Sequence, residues 1–179
     1  MARRFHDAEQ LLPPATALKR ALAIIYDGLI SIAVLLVTTW AYTMVAGWIT
    51  GWDKYEQLAE AGQLSGDPGL TFVLFLVLYL FFAYFWTRVG QTLGMQVWRV
   101  RIENLDGTSV SWTQALWRYG TAAFVVFLTI LAAYYLGSLT MILTVPAIIA
   151  LFYPINGLSL TDRASNSVVV QVPRPEKKK

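Results

Sequence analysis

The sequence contains no cysteine, and its single histidine is His6, near the start of the chain. Without cysteine there is no disulfide, no thiolate metal site and no cysteine nucleophile. One histidine cannot supply the clusters that bind zinc, and it lies in a polar segment far from any candidate triad partner. The chain also has no cofactor-binding loop that we recognise. We therefore expect no enzyme activity, no metal and no cofactor.

Charged residues are scarce as well. They make up 14% of the 179 residues, whereas roughly 25% is typical of soluble domains. Hydrophobic residues reach 56%, and there are seven tryptophans, a residue that collects at membrane interfaces. This composition indicates a membrane protein, and we expect its partner to be the lipid bilayer rather than a nucleic acid.

Four apolar segments account for the hydrophobic excess, at about residues 21–49, 70–86, 121–136 and 139–153. A transmembrane helix needs about 20 apolar residues, so the first segment is ample and the last two are short. Those two form a block broken only by Gly137-Ser138, and two short helices with a tight turn fit it better than one interrupted helix. The sequence predicts an all-α transmembrane fold, a four-helix membrane bundle made of two helical hairpins.

The charges are distributed unevenly between the connecting segments. Basic residues dominate before the first span, between the second and third, and after the fourth, whereas the segment 51–69 is acidic. By the positive-inside rule, the basic segments face the cytoplasm, which four spans allow. The sequence thus predicts a flexible cytoplasmic tail at 1–16, a membrane domain at 17–172, and a basic cytoplasmic tail at 173–179 that contacts anionic lipid.

The second connecting segment has structure of its own. Residues 97–103 alternate apolar and charged side chains, as a strand does, and Asp106-Gly107 is a hairpin turn signal. Ser111-Trp-Thr-Gln114 resembles a capping box, which would open a short amphipathic helix ending at Arg118 in the membrane surface. Residues 167–172 are a second strand-like run. Together they predict a small cytoplasmic β-hairpin or sheet and an amphipathic interfacial helix.

Arg20 and Asp27 stand at the front of the first span. Residues seven apart return to nearly the same helix face, about 10 Å along the axis, and ionisable groups at this depth are costly unless they are paired, hydrated or used. In one interpretation, Asp27 binds a proton or cation and Arg20 controls its protonation. In the other, the span begins near Gly28, and Arg20, Arg118 or Arg163 holds Asp27 at the headgroup level to fix helix packing.

Two further segments bear on this site. Asp162-Arg163, just after the fourth span, would complete a cytoplasmic cluster with Arg20, Asp27 and Arg118; a solvated turn is the alternative. Residues 90–94, Gly-Gln-Thr-Leu-Gly, lack the lysine of a phosphate-binding loop and the strand–turn–helix context of a dinucleotide site. We expect a tight turn there rather than a nucleotide site.

Three features of the sequence occur in a fixed order. They are Arg20 with Asp27; Gly90-Gln-Thr-Leu-Gly94 followed by Arg101, Asp106-Gly107 and Arg118; and Leu160-Thr-Asp162-Arg163 followed by Ser167-Val-Val. Together they resemble the RDD family of bacterial membrane proteins, which is named for one arginine and two aspartates. The resemblance covers roughly residues 17–172. It departs from the common pattern at Met95-Gln96, where the family tends to be basic, and at Ser165-Asn-Ser167, which replaces a usual Gly-Thr.

The resemblance implies a multi-pass protein of the bacterial cytoplasmic (inner) membrane that transports an ion or small solute, with both termini in the cytoplasm. In a transport hypothesis, an ion- or proton-responsive charge cluster would be formed by Arg20, Asp27, Arg118, Asp162 and Arg163. Four short helices enclose little water, so such a protein would form a homo-oligomer. In the alternative, the chain is a scaffold or accessory subunit that binds another membrane protein or lipid.

Overall fold

The protein was analysed as a computed structural model, which describes residues 3–6, 12–137, 142 and 151–173. It is mostly helical, with one small sheet. The elements in chain order are α1 (Ala17–Thr50), α2 (Trp52–Glu60), α3 (Pro68–Arg88), α4 (Leu93–Trp98), β1 (Val100–Glu103), α5 (Trp112–Leu136), α6 (Leu160–Ala164) and β2 (Val168–Gln171).

Three of the described helices, α1, α3 and α5, are long and apolar enough to cross a membrane. Many of their large apolar side chains are exposed, including Leu36 and Trp40 on α1 and Phe72 on α3. Apolar surface of this extent is expected to contact lipid or protein. The predicted fourth span, 139–153, lies outside the described residues except for Ile142 and 151–153, so the four-helix bundle stays a prediction.

The chain divides into two compact units, of which one is Gly28–Phe81. Within it, α2 follows α1 directly, and a Cβ atom on Gly47 would lie 2.6 Å from the Trp52 ring, so glycine is what lets this ring approach α1. Asp67 precedes α3 and accepts hydrogen bonds from the Tyr42 hydroxyl and the Gly69 amide, both 2.8 Å long. These bonds lower the pKa of Asp67 below its ordinary value.

The other unit combines Met1–Asp27 with Phe82–Lys179 and contains the sheet. In it, β1 and β2 pair antiparallel, with Val100 opposite Gln171. The segment before α1 runs along the other side of β2, because the Ala15 amide donates to the Val169 carbonyl (2.9 Å) and the Gln171 amide donates to the Pro13 carbonyl (2.8 Å). The sheet therefore joins the start of α1 to residues near the C-terminus. The small apolar core of this unit is formed by Ala15, Ala23, Met95, Val100, Ile102, Val110 and Val169.

The predicted hairpin or sheet is present as a sheet, because β1 and β2 lie within the two strand-like runs of the sequence. The hairpin itself does not form, although its turn is present. Gly107 has φ +76°, as the turn requires, but the strand partner of β1 is β2. The other edge of β1 is already occupied, since the Ile102 amide donates to the Gly90 carbonyl (2.7 Å) and the Gln91 side chain donates to the Val100 carbonyl (2.9 Å). No edge is left for a hairpin strand.

The prediction for the residues after this turn is right at one end and wrong at the other. The Ser111–Gln114 capping box is confirmed, with reciprocal bonds of 2.9 and 3.2 Å. A separate amphipathic helix ending at Arg118 does not form, because α5 continues from Trp112 to Leu136. A single glycine, Gly120, costs only about 1 kcal/mol in a helix, which is too little to end one.

Residues 3–6 are held in place by hydrogen bonds, whereas the sequence predicted a flexible tail over 1–16. The Phe5 amide donates to the Gly107 carbonyl (2.9 Å), and the Ser109 amide donates to the Arg3 carbonyl (2.7 Å). Glu103, which is 2% exposed, accepts from both His6 and Arg101 at 2.8 Å. We call residues 3–6 the N-terminal strap.

We expect Glu103→Gln to loosen this strap, because a neutral amide replaces the charged acceptor shared by His6 and Arg101. The Phe5 and Ser109 amides should then exchange about tenfold faster with deuterium at neutral pH, as expected when a charge-assisted hydrogen bond of a locally opening segment is weakened. Unchanged exchange at both amides would mean that the backbone bonds alone hold the strap.

Candidate functional site

The short helix α6 presents a buried aspartate whose position is fixed locally. Ser159 caps α6: its hydroxyl accepts from the Asp162 amide (3.3 Å), and its own amide donates to Asp162 Oδ2 (2.9 Å). This is a capping box, in which each residue satisfies a backbone donor of the other. Asp162 is only 1% exposed, so the carboxylate is withdrawn from water and its direction is set by α6.

Two arginines from distant parts of the chain share this carboxylate. Arg20 Nη1, on α1, donates to Asp162 Oδ2 at 2.5 Å, and Arg118 Nη2, on α5, donates to Asp162 Oδ1 at 2.6 Å. Both arginines are themselves buried, at 5% and 7% exposure. Each carboxylate oxygen therefore has one guanidinium partner. We call Arg20, Asp162 and Arg118 the charge triad.

The triad carries one positive charge in excess, and neutral oxygens surround it. Arg20 also donates to the backbone carbonyls of Ala15 (3.2 Å), Gly157 (3.1 Å) and Val169 (3.2 Å). In this way the guanidinium of Arg20 ties the start of α1, the loop before α6 and β2 together. A buried charge is tolerated only when its donors are satisfied in this manner.

Arg118 has a different set of neutral partners. Its Nη1 donates to the hydroxyls of Ser167 (3.0 Å) and Ser165 (3.4 Å), which also contact each other at 2.7 Å. The Arg118 guanidinium lies 5.9 Å from the centre of the Trp86 ring, a distance at which a cation–π attraction is felt. The Ser165-Asn-Ser167 segment, which departs from the family pattern, thus contacts the triad directly.

The two arginines keep Asp162 ionised. Burial alone would raise the pKa of Asp162, but the charges of Arg118 and Arg20 outweigh it, and the net effect lowers this pKa below 3.8. Asp162 therefore bears a fixed negative charge near neutral pH. Its chemistry is that of a structural counter-ion, and a carboxylate held in this way is a poor proton carrier.

Asp27 is buried elsewhere in the same unit, without a cation. It is 7% exposed, and it accepts from the Thr92 hydroxyl (2.5 Å) and the Gly94 amide (2.9 Å). Within the described residues it forms no ion pair. The predicted coupling of Arg20 to Asp27 is wrong, because side chains on a helix point towards its N-terminus, so Arg20 extends away from a residue two turns further on.

The loop of residues 90–94 supplies the partners of Asp27. Gly90 has φ +75°, which confirms the predicted tight turn, and Thr92 then caps α4 by accepting from the Met95 amide (3.3 Å). A Cβ atom on Gly94 would lie 2.5 Å from the Ala23 carbonyl oxygen and 2.8 Å from Asp27 Oδ1. Glycine at this position is what allows α4 to approach α1.

Arg163 takes no part in either arrangement. It is exposed and donates to the Ile155 carbonyl at 3.4 Å. Of the five residues that the sequence brought forward, the structure joins Arg20, Asp162 and Arg118, places Asp27 with neutral partners, and leaves Arg163 outside. Sequence reasoning missed Ser159, Thr92 and the two serines that contact Arg118, Ser165 and Ser167. Only Ser159 had a signal in the sequence, because the spacing Ser159-x-x-Asp162 is that of a capping box.

Among the residues that the structure describes, no three side chains of histidine, cysteine, aspartate or glutamate lie close enough together to hold a metal ion. The acids of the candidate site are instead occupied by arginine, hydroxyl and amide donors.

A family model described as the RDD family matches residues 14–166, a range that includes Asp27 and the whole charge triad. No curated protein and no solved structure matches the chain.

Proposed function

Since the chain belongs to the RDD family, we propose that it is an ion transporter of the bacterial inner membrane in which Asp27 binds and releases a proton or a small cation. Family membership and the three long apolar helices indicate a membrane protein. Beyond this, we propose the transport activity, the ion that is transported and the location in the bacterial inner membrane. It involves no catalytic step, no cofactor and no metal other than a transported cation.

The observation that carries the proposal is the difference between the two buried aspartates. Asp162 has one guanidinium for each oxygen, whereas among the described residues Asp27 has only a hydroxyl and an amide as partners. Neutral donors orient a carboxylate but do not cancel its charge. An uncompensated negative charge on an apolar helix attracts a proton or a cation, and ionisable residues in such segments commonly mark ion pathways.

The charge triad has a separate part in this proposal. It joins α1, α5 and α6 through Arg20, Arg118 and Asp162, so it fixes the helix from which Asp27 projects. We therefore assign the triad a positioning role and Asp27 the ion-binding role. With four spans, both termini lie in the cytoplasm by the positive-inside rule, and a homo-oligomer provides the aqueous volume that one chain lacks.

The test is proton flux in proteoliposomes loaded with a pH-sensitive dye. We expect Asp27→Asn to reduce flux to the level of protein-free liposomes, because asparagine cannot exchange a proton or neutralise a cation. Asparagine retains an oxygen that accepts from the Gly94 amide, so the variant should still fold and reconstitute. Asp53→Asn, which removes an exposed acid on α2, is the matched control and should retain wild-type flux.

Flux that survives in Asp27→Asn would refute the ion-binding role. Absence of flux in the wild type, tested under gradients of H⁺, Na⁺ and K⁺, would favour the second candidate, a scaffold or accessory subunit. That candidate is supported by the engagement of both Asp27 oxygens with the start of α4, which gives Asp27 an anchoring role. It predicts a stable membrane-protein partner that co-purifies in mild detergent.

A further inference from the structure

A pocket of about 470 Å³ opens beside the start of α1, away from the hydrogen bonds of Asp27 and Asp162. It is lined by Lys19 of α1, the segment Val97–Arg99 at the end of α4, and Gln171–Pro173 at the end of β2. Three separate parts of the chain thus meet around one cavity. Neither the charge triad nor Asp27 lines it.

Among residues 3–6, 12–137, 142 and 151–173, the two cations of this pocket have no acidic partner. Lys19 is half-buried and Arg99 is exposed, and in the described part of the chain neither forms an ion pair. The other buried or half-buried arginines near the sheet are all paired, as Arg101 is with Glu103. Two unpaired cations around one cavity attract an anion.

The backbone at Arg99 is unusual in a way that also points to this pocket. Arg99 has φ +55°, a left-handed conformation that is uncommon for any residue with a side chain. It ends α4, where glycine is the usual choice. Arg99 thus occupies a backbone conformation that favours glycine, and backbone strain of this kind concentrates at functional sites.

Two residues that line the pocket each carry a polar side-chain atom without a partner. The indole N–H of Trp98 and the side-chain oxygen of Gln171 are shielded from water and have no hydrogen-bond partner within the described residues. Buried polar atoms of this kind are rare and call for an explanation. If the two side chains turn towards the pocket, a ligand with both acceptor and donor oxygens there would satisfy both atoms.

The surroundings of the pocket are apolar. Leu18 is 68% exposed and Val97 is 58% exposed, and α1 leads from here into the long apolar run that can cross a membrane. The sequence continues from Pro173 into Arg174 and Lys177-Lys-Lys179, with Glu176 as the single acid. A cationic pocket with an apolar rim at the end of such a helix matches the chemistry of a lipid headgroup and its chains.

We propose that the pocket lined by Lys19, Trp98 and Arg99 binds the phosphate group of an anionic glycerophospholipid. Lys19 and Arg99 neutralise the charge, the Trp98 indole donates to a phosphate oxygen after a small side-chain adjustment, and Gln171 accepts from a headgroup hydroxyl. Leu18 and Val97 contact the acyl chains. The site is independent of the transport proposal, because none of its residues contacts Asp27 or the triad through a side-chain hydrogen bond.

The test is thermal unfolding of the full chain in mild detergent, titrated with lipid. Phosphatidylglycerol should raise the unfolding midpoint of the wild type, and phosphatidylcholine, which has the phosphate but no net charge, should raise it much less. The double variant Lys19→Gln with Arg99→Asn should need about 10- to 30-fold more phosphatidylglycerol for half of the shift, as expected when two charges are lost. Asparagine is chosen because it tolerates positive φ.

Arg88→Gln, which removes an exposed arginine at the end of α3, is the matched control and should respond as the wild type does. Trp98→Phe keeps the ring and removes the N–H, and it should weaken the response to a smaller degree. Equal weakening in Arg88→Gln and in the double variant would overturn the proposal, as would a wild type that does not discriminate between the two lipids. Stabilisation by inorganic phosphate alone, without a lipid effect, would assign the pocket to a soluble anion and refute the lipid.

Discussion

Replacing Asp162 with asparagine is expected to lower the free energy of unfolding by about 3–5 kcal/mol, the range seen when one partner of a buried ion pair is removed. The substitution leaves Arg20 and Arg118, both buried, without a counter-ion. Two like charges then face each other across the space of one side chain. The measurement is unfolding in detergent micelles, and poor membrane insertion of the variant is the expected cellular counterpart.

Single substitutions of Asp162, Arg118 and Arg163 should lower the free energy of unfolding by different amounts. Arg118→Met leaves a neutral one-to-one pair between Arg20 and Asp162, so we expect it to cost only roughly 1–3 kcal/mol for the polar groups left unpaired. Arg163→Gln removes an exposed neighbour and should change stability by less than about 0.5 kcal/mol. Equal losses for Asp162→Asn and Arg118→Met would contradict the assignment of one carboxylate shared by two guanidiniums.

The dependence on pH has a definite sign. Because the folded-state pKa of Asp162 is lowered below 3.8, its ionised form stabilises the protein at every pH above its unfolded-state value. This stabilisation is lost as the pH falls below about 4 and through the folded-state pKa. The difference in stability between the wild type and Asp162→Asn should therefore be constant from neutral pH to about pH 5 and should shrink below pH 4.

Replacing Gly94 with alanine is expected to separate α4 from α1, at a cost of about 3 kcal/mol. The new methyl group would lie 2.5 Å from a backbone oxygen, that of Ala23, and 2.8 Å from Asp27 Oδ1. Overpacking of this kind costs about 1–3 kcal/mol, and displacing α4 also weakens the Gly94 amide bond to a charged acceptor, worth about 1.5–3 kcal/mol. Unfolding in detergent measures the total.

Gly120 provides the matched control for this prediction. It also lies within a helix, α5, but a Cβ atom there would have nothing within 4 Å. Gly120→Ala should therefore be neutral or stabilising by about 0.5–1 kcal/mol, since alanine favours the helix and restricts the unfolded chain. If Gly94→Ala is as stable as Gly120→Ala, the close approach of α4 to α1 is not required for folding.

Structural features that depend on residues close together in the sequence were predicted correctly. The length of α1, the turn at Asp106-Gly107 and the Ser111–Gln114 capping box each follow from a short pattern with a local physical cause. The predicted charge cluster was different: it was argued from the need of Asp27 for a cation, whereas the structure pairs Arg20 and Arg118 with Asp162 and gives Asp27 neutral donors. The local predictions needed only the order of neighbouring residues.

Other features depended on contacts that no short pattern contains. The alternation at 97–103 predicted a strand, but the Thr92 cap begins α4 upstream and keeps residues 97 and 98 helical. The hairpin failed because Gly90 occupies an edge of β1. The partners of Asp27 were missed because the Thr92 hydroxyl and the Gly94 amide are uncharged, so no rule of opposite charges points to them. Their approach to Asp27 also depends on the absence of a side chain at Gly94.

The shared carboxylate of Asp162 also constrains the order of events during biosynthesis. Arg20 leaves the ribosome 142 residues before its acidic partner, and Arg118 precedes the same partner by 44. Until Asp162 is made, each guanidinium must remain hydrated or bound to another anion such as lipid phosphate, Arg20 for 142 residues and Arg118 for 44. A nascent chain that stops before α6 therefore carries two guanidiniums without the carboxylate that they share in the folded protein.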